Sequence, residues 1–315
     1  MLIATSRSTN PISSILLLVV FWLVNFSLSL REVLLYQSSW SNFIFLKMVS
    51  AHLSIIGISI LLNKVLQKNK IVGVGDVFSG LFFLIFMISI PNTHEYYKDL
   101  ASLFLITIGN NRLVTLHNSN KNYLKEFEIG ILFGLSILIA PHLFTVIIAL
   151  LIGIALVISF TWRDFVVPLL GFLWVFFIKY IVFYIFDISG PNPISDFNFS
   201  LPQFGFSFDL YNILIVLVFM FQFIVFLKIF SILEKRSIRE RVFYRLWIWT
   251  MLFLVISVFF FSKRISGVFF ILLLALPISL FSVEFFPRKR ELKGYWRKEV
   301  LIYLIIILQF YLRIY

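Results

Sequence analysis

The chain has 315 residues, of which 61% are hydrophobic and only 13% charged, and its formal net charge is +12. Soluble domains average roughly 45–50% apolar and about 25% charged residues, so the composition excludes a soluble globular domain and predicts a membrane protein. Because the chain contains no Cys, disulfides, Cys-ligated zinc, iron–sulfur clusters and catalytic thiols are excluded too.

Hydropathy predicts about eleven transmembrane helices, since one span needs roughly 20 apolar residues. The predicted spans are 12–30, 43–63, 77–91, 99–112, 127–141, 142–160, 165–186, 210–228, 246–262, 267–285 and 299–313. The third, fourth and fifth are short, so their ends need flanking polar residues or neighbouring helices. We interpret the first span as a membrane helix rather than a signal peptide, because "NFSLSLRE" offers no small-residue cleavage site.

Basic residues predict the orientation. With the N-terminus in the cytoplasm, twenty of the 27 Lys and Arg residues fall in cytoplasmic loops. The expected fold is therefore an all-α polytopic bundle with a cytoplasmic N-terminus and a C-terminus on the opposite, outer side of the membrane. The same residues contact anionic headgroups in such proteins, so we predict membrane lipids, above all anionic inner-leaflet lipids, and not nucleic acid, as partners.

Short polar interruptions predict the turns. In "TWRDFVVPLLGF", Asp164 is placed to cap the helix that follows a tight cytoplasmic turn, and Pro168 is expected in its first turn. "APH" at 140–142 predicts a second tight turn. Segment 228–245 is predicted to be a basic amphipathic helix on the inner leaflet. Loop 187–209, which has no Lys or Arg, is predicted to form a periplasmic hairpin.

Glu32 follows the first span and is our first catalytic candidate. A carboxylate at the mouth of a membrane cavity is suited to act as general base on a hydroxyl. The alternative is an exposed ion pair between Arg31 and Glu32 at the interface. The residues after Glu32, "VLLYQSSWSNFIF", are predicted to form a helix along the outer surface.

His94, Glu95 and Asp99 form a second candidate group in "PNTHEYYKD", at the outer end of two spans. A His and two carboxylates are suited to bind a divalent cation with a sugar phosphate. Their spacing matches no metal motif, and we predict no resident metal. The alternative is a polar loop anchored by Tyr96 and Tyr97.

Lys179 lies within a predicted span, eight residues before Asp187. An ammonium at that depth is suited to bind a lipid-linked phosphate. The alternative is that its long side chain snorkels to the outer interface. His52 and His142, in or beside spans, are interpreted as hydrogen-bonded packing residues.

Four stretches between about residues 61 and 187 carry a family resemblance, in the order "LLNKVLQKNK", "LASLFLITIGNNRLVTL", "EIGILFGLSILIAPHLFTVIIALLIG" and "TWRDFVVPLLGF". Through them the chain resembles an uncharacterised family of multi-pass inner-membrane proteins of Bacteroidota. That resemblance implies location in the bacterial inner membrane, with the outer side facing the periplasm.

The same block is similar, more weakly, to the helical module of membrane glycosyltransferases of the C fold, through the pattern of Gly130, Gly134, Leu135, Leu138 and Pro141. That resemblance implies sugar transfer from a polyprenyl-phosphate donor at the outer face, with Glu32 as base and Glu95 as helper. The first outer loop here is short and lacks an Asp–Glu pair, and the chain has no soluble outer domain.

The sequence therefore supports three functions in order. The first is a glycosyltransferase-C-like enzyme that handles a polyprenyl-phosphate-linked saccharide, with Glu32 and Glu95 catalytic and His94 and Lys179 binding substrate. The second is a non-catalytic membrane subunit or scaffold of an envelope complex, contacting protein partners through 187–209 and 228–245. The third is a transporter. In all three, residues 1–315 form a single integral membrane domain.

Overall fold

The computed structural model describes residues 11–36, 42–73, 76–116, 123–157, 161–186, 220, 224–261, 267–286, 300, 303, 306, 307 and 313. Within these residues all regular secondary structure is helical, which confirms the predicted all-α class. Loop 187–209, with its predicted hairpin, lies outside them.

Besides the helical residues 300, 303, 306, 307 and 313, ten α-helices have defined bounds among the described residues. They are α1 (Pro11–Tyr36), α2 (Asn42–Lys68), α3 (Phe78–Ile88), α4 (Tyr97–Leu116), α5 (Tyr123–Ile139), α6 (Val146–Val157), α7 (Trp162–Ile185), α8 (Ile224–Leu233), α9 (Ile238–Phe261) and α10 (Gly267–Phe285). By length and composition, α1, α2 and α7 are each able to cross a membrane. These three helices support the membrane class that composition predicts.

The helices divide between two compact units. The first unit contains α1, α2, α3, α8 and α10, and α3 lies at its centre, packed against α1, α2 and α10 with every side chain buried. At 11 residues, α3 is only about 16 Å long. Its first amides are satisfied by neighbours, as expected for a short segment: Phe78 N donates to Asp76 Oδ1, and Gly80 N donates to Asn63 Oδ1.

The second unit contains α4 to α7 and α9. Helices α5 and α7 run parallel, since Gly130 lies against the Pro168 backbone and Gly134, one turn on, lies against Phe172 O. Gly171 of α7 meets the Phe127 backbone in the same way. Glycines let two backbones approach closely, so the Gly-rich pattern of the resemblance block has a packing role here. The intervening α6 packs against α9.

The predicted turn at 140–142 and the predicted cap of α7 are confirmed, while residues 158–160, between α6 and α7, lie outside the described residues. Helix α5 ends at Ile139, and a 3₁₀ turn over Pro141–Leu143 leads into α6. At the start of α7, Thr161 and Asp164 form a capping box in which Asp164 Oδ2 accepts from Thr161 N at 3.1 Å. The position predicted for Pro168 is wrong, because α7 already begins at Trp162 and places the proline beyond the first turn.

Two other local predictions are wrong. Among the described residues after Glu32, no separate surface helix is formed, because α1 continues through Tyr36 and α2 begins at Asn42; residues 37–41 lie outside the described residues. Residues 228–245 are not one continuous helix, because turns at 234–236 separate α8 from α9. Apolar periodicity on both sides of that break concealed it in the sequence.

Candidate functional site

A buried arginine cluster joins the end of α1 to the last residues of the chain. The Arg313 side chain is 1% exposed. Its Nε donates to Glu32 Oε1 at 2.8 Å and its Nη2 donates to Glu32 Oε2 at 3.2 Å. Nη1 donates to Asn25 Oδ1 and to Ile88 O, both at 3.0 Å, and Nη2 also donates to Ser29 Oγ at 2.9 Å. All five N–H donors of the guanidinium therefore have acceptors.

Helix α1 presents this cluster on one face. Asn25, Ser29 and Glu32 are spaced four and three residues apart, which places them one above another on a helix. Asn25 and Ser29 are fully buried. The spacing of these polar residues in an otherwise apolar helix is a readable signal for a polar contact, although Glu32 alone was predicted to be functional. The distant partner, Arg313, had no local signal.

The pair limits what Glu32 can do chemically. Oε2 accepts from Asn92 N at 3.0 Å as well as from Arg313, and the Glu32 side chain is 12% exposed. The carboxylate is therefore held by two groups of its own chain, the Arg313 guanidinium and the Asn92 amide. The alternative prediction, an exposed ion pair between Arg31 and Glu32, is wrong, because the Glu32 carboxylate pairs with Arg313. This geometry holds α1, the segment after α3 and Arg313 together.

His94 and Glu95 lie in the 3₁₀ turn Thr93–Tyr96 between α3 and α4. Asn92 starts the turn with φ of 48°, a left-handed conformation that Asn tolerates. His94 is buried and Glu95 is exposed. Burial lowers the pKa of the His94 imidazole below its usual 6.5, and the negative charges of Glu95 and Glu32 oppose that shift. The structure thus brings Glu32, His94 and Glu95 within electrostatic range of one another.

Asp99, the third member of the predicted outer group, pairs with a different histidine. Within the second unit, Asp99 Oδ1 lies 3.0 Å from His142 Nε2, and both side chains are largely buried. His142 is therefore a paired packing residue, as predicted. Among the described residues, no three His, Asp or Glu side chains are grouped so that they could hold a metal ion.

Lys179 lies on α7, in the second unit. Its Nζ lies 5.4 Å from the centre of the Phe183 ring, one turn toward the C-terminal end of the helix. This is the ordinary contact between residues four apart on a helix, in which the later side chain leans toward the earlier one. Asp187 lies outside the described residues. The hypothesis that Lys179 shares a substrate site with Glu32 and Glu95 stays a prediction.

His52 is a packing residue in the first unit. Its Nδ1 lies 2.9 Å from Met48 O, one turn earlier in α2. Its ring meets Phe26 of α1 edge-on, with ring centres 5.1 Å apart. The backbone oxygen of the same residue accepts a hydrogen bond from Trp22 Nε1. These contacts tie α2 to α1, as the sequence interpretation of His52 implies.

The described residues define a class of protein. It is all-helical, three of its helices are able to cross a membrane, and its buried ion pair joins two side chains of the same chain. Within that class, the chain belongs to a family of unknown function (DUF6427), whose family model matches residues 6–314. The match confirms an uncharacterised family and extends it from the block 61–187 to nearly the whole chain. No curated protein and no solved structure matches the chain.

Proposed function

We propose that this chain is a multi-pass inner-membrane protein of the cell envelope that serves as a non-catalytic membrane subunit or scaffold. The observation that carries the proposal is the Arg313 cluster. It engages Glu32, the predicted base, in a buried ion pair that connects two parts of the chain. A residue used to stabilise helix packing in this way suits a scaffold better than a proton-transfer site.

The proposal includes about eleven spans, a cytoplasmic N-terminus and a periplasmic C-terminus. Polar contacts within each unit support this threading. In each contact, the two partners are residues that the threading places on the same side of the membrane. The outer contacts are Glu32 with Arg313 and Asp99 with His142. The inner contacts are Arg112 with Glu128, and Lys228 and Arg236 with Glu284 or its backbone oxygen.

Cysteine labelling tests the threading without background, since the natural chain has no Cys. We would introduce Lys98→Cys and Lys235→Cys separately, both at exposed positions, and treat cells with a membrane-impermeant maleimide. We expect labelling of the first variant in intact cells and of the second only after the inner membrane is opened. The reverse result contradicts the proposed orientation.

Native mass spectrometry tests the scaffold role. The protein would be extracted in mild detergent from the membrane in which it is naturally made. We expect the 37.0 kDa chain to carry a second envelope polypeptide at a fixed ratio. A replacement of 187–209 by a Gly-Ser linker of equal length is expected to reduce that ratio. A uniform bare monomer from the wild type contradicts the scaffold proposal.

A second candidate function is supported by His94: an enzyme that handles a polyprenyl-phosphate-linked saccharide at the outer face. Because burial lowers its pKa, the imidazole is neutral at neutral pH and is suited to accept a proton. The negative charge of Glu95 and the positive charge of Lys47 both act on His94. A carboxylate and an ammonium group are therefore available near this base. In this candidate His94 replaces Glu32 as base.

Sugar transfer separates the two functions. Purified protein would be incubated with a polyprenyl-phosphate-linked sugar and a membrane extract as acceptor source, with wild type compared with His94→Gln and Glu95→Gln. The enzyme candidate predicts measurable transfer that falls about 100-fold or more in His94→Gln. Transfer that is absent, or equal in all three proteins, contradicts it.

A further inference from the structure

One face of α9 is partly or fully exposed over residues 238–252. Arg241, Arg245, Trp249 and Leu252 follow one another at helical spacing, and none is buried. The opposite face is fully buried in the second unit. Its buried residues are Phe243, Leu246, Trp247, Thr250 and Leu254. Contacts of Leu246 with Gly153 and of Thr250 with Asn110 fix which way the helix faces. The uncovered residues, with Ile238 and Ile248, are called the α9 stripe.

The α9 stripe changes chemically along its length. Its first half carries two guanidinium groups, on Arg241 and the exposed Arg245. Trp249 is 36% exposed and Leu252 is 40% exposed. At about 1.5 Å per residue, Trp249 lies roughly 6 Å beyond Arg245 along the axis. That distance is close to the thickness of one headgroup layer, about 5–8 Å.

This order of groups matches a phospholipid standing beside the helix. Guanidinium groups bind phosphate through paired hydrogen bonds. An indole prefers the interface between headgroups and acyl chains. Aliphatic side chains contact the acyl chains themselves. The order along α9 is therefore phosphate ligand, interface anchor and hydrocarbon contact.

We propose that the α9 stripe binds an anionic glycerophospholipid, with Arg241 and Arg245 on the phosphate and headgroup and Trp249 at the ester level. The proposal rests on the proposed membrane function, in which the N-terminal end of α9 lies at the inner leaflet. Charge complementarity favours an anionic lipid, because the two charged residues of the α9 stripe are both arginines. Glu240, the acidic residue in the first turn of α9, lies on a different face of the helix by its spacing. Arg239, the other basic residue of that turn, also lies off the stripe.

Native mass spectrometry with defined lipids tests this site. The full-length protein in detergent would be titrated with phosphatidylglycerol and, separately, with phosphatidylcholine of identical acyl chains. We expect wild type to retain phosphatidylglycerol preferentially. Because each cationic side chain near a lipid surface contributes about fivefold in affinity, Arg241→Gln with Arg245→Gln is expected to weaken phosphatidylglycerol binding about 30-fold. Arg241→Lys with Arg245→Lys keeps both charges but loses the paired hydrogen bonds, so it should weaken phosphatidylglycerol binding less than the double Gln variant does.

Arg163→Gln is the matched control, because Arg163 is exposed at the start of α7 and lies outside the α9 stripe. It should change phosphatidylglycerol binding less than about threefold. Equal retention of the two lipids by wild type, or an equal loss in the control, overturns the proposal. If the double variant does not fold, the single change at the exposed Arg245 is measured instead, with about a fivefold loss expected.

The lipid titration and the labelling experiment fail independently. The titration needs no membrane orientation, so a reversed labelling pattern would contradict the threading and leave the lipid site intact. Loss of lipid preference with a normal labelling pattern would contradict the lipid site alone.

Discussion

Arg313 and Glu32 lie 281 residues apart in the chain and form a buried two-point ion pair, with Nε to Oε1 at 2.8 Å and Nη2 to Oε2 at 3.2 Å. Ile88 O and Asn92 N contact the same pair. The cluster therefore joins α1, the C-terminal end of α3 and the end of the chain at one point. An arrangement of these helices that buried one charge without the other would cost free energy, so the pair favours the observed packing.

Removing one charge of this pair is expected to destabilise the protein strongly. Glu32→Gln leaves the buried Arg313 without a counterion, so the free energy of unfolding should fall by about 3–5 kcal/mol. The measurement is thermal or denaturant unfolding in detergent. Glu95→Gln, the same chemical change at an exposed carboxylate of the same unit, should shift stability by less than about 0.5 kcal/mol.

The double variant Glu32→Gln with Arg313→Gln completes a thermodynamic cycle. It should be less destabilised than the sum of its two single variants, because neither charge remains unpaired. Additive effects would contradict a direct interaction between these two side chains.

The buried His94 predicts a pH dependence of stability. Burial lowers its pKa below 6.5 in the folded state, so near that pH the unfolded chain binds more protons than the folded protein. Stability should therefore be fully present above about pH 6.5 and decline as the pH falls through the folded pKa. His94→Gln removes this contribution, so its unfolding midpoint should change less than that of wild type between pH 7 and pH 5. Parallel pH profiles would contradict the prediction.

Gly130 predicts a stability effect opposite in sign to helix propensity. Alanine within a helix is ordinarily about 1 kcal/mol better than glycine. A Cβ at Gly130 would overlap the Pro168 backbone, which cannot move aside without separating α5 from α7. We therefore expect Gly130→Ala to lower the unfolding midpoint. Gly134→Ala is the graded control, since its Cβ would lie 3.0 Å from Phe172 O, and a smaller loss is expected. A rise at Gly130 would show that the two helices separate at little cost.

The hydrogen bond between Asn110 Nδ2 and Thr250 Oγ1, 3.1 Å long and buried, links α4 to α9. Thr250→Val keeps the side-chain volume and removes the acceptor. We expect a loss of about 0.6–1.7 kcal/mol, the range found for helix–helix hydrogen bonds in membrane proteins. Thr115→Val, at a partly exposed position of α4 whose hydroxyl bonds only its own helix backbone among the contacts described, is the control. An equal loss in both variants would place the effect in the helix itself.

Local patterns predicted local structure well at two helix ends. The capping box of Thr161 and Asp164 and the turn at Pro141 were both readable, because each depends on residues within one helical turn of another. Local patterns failed where the same pattern is compatible with two different local structures. Helix periodicity continues across 234–236, where the chain turns, and Pro168 is compatible with either the first or a later turn of α7.

By itself, the sequence determined the all-helical membrane class, the positions of most helices and the clustering of basic residues, because hydropathy and caps act over a few residues. Only the tertiary structure decided that Glu32 binds Arg313, that Asp99 binds His142 and that Gly130 lies against Pro168. The physical reason is distance along the chain. The sequence around a charged residue or a glycine in one helix does not identify the distant helix that packs against it.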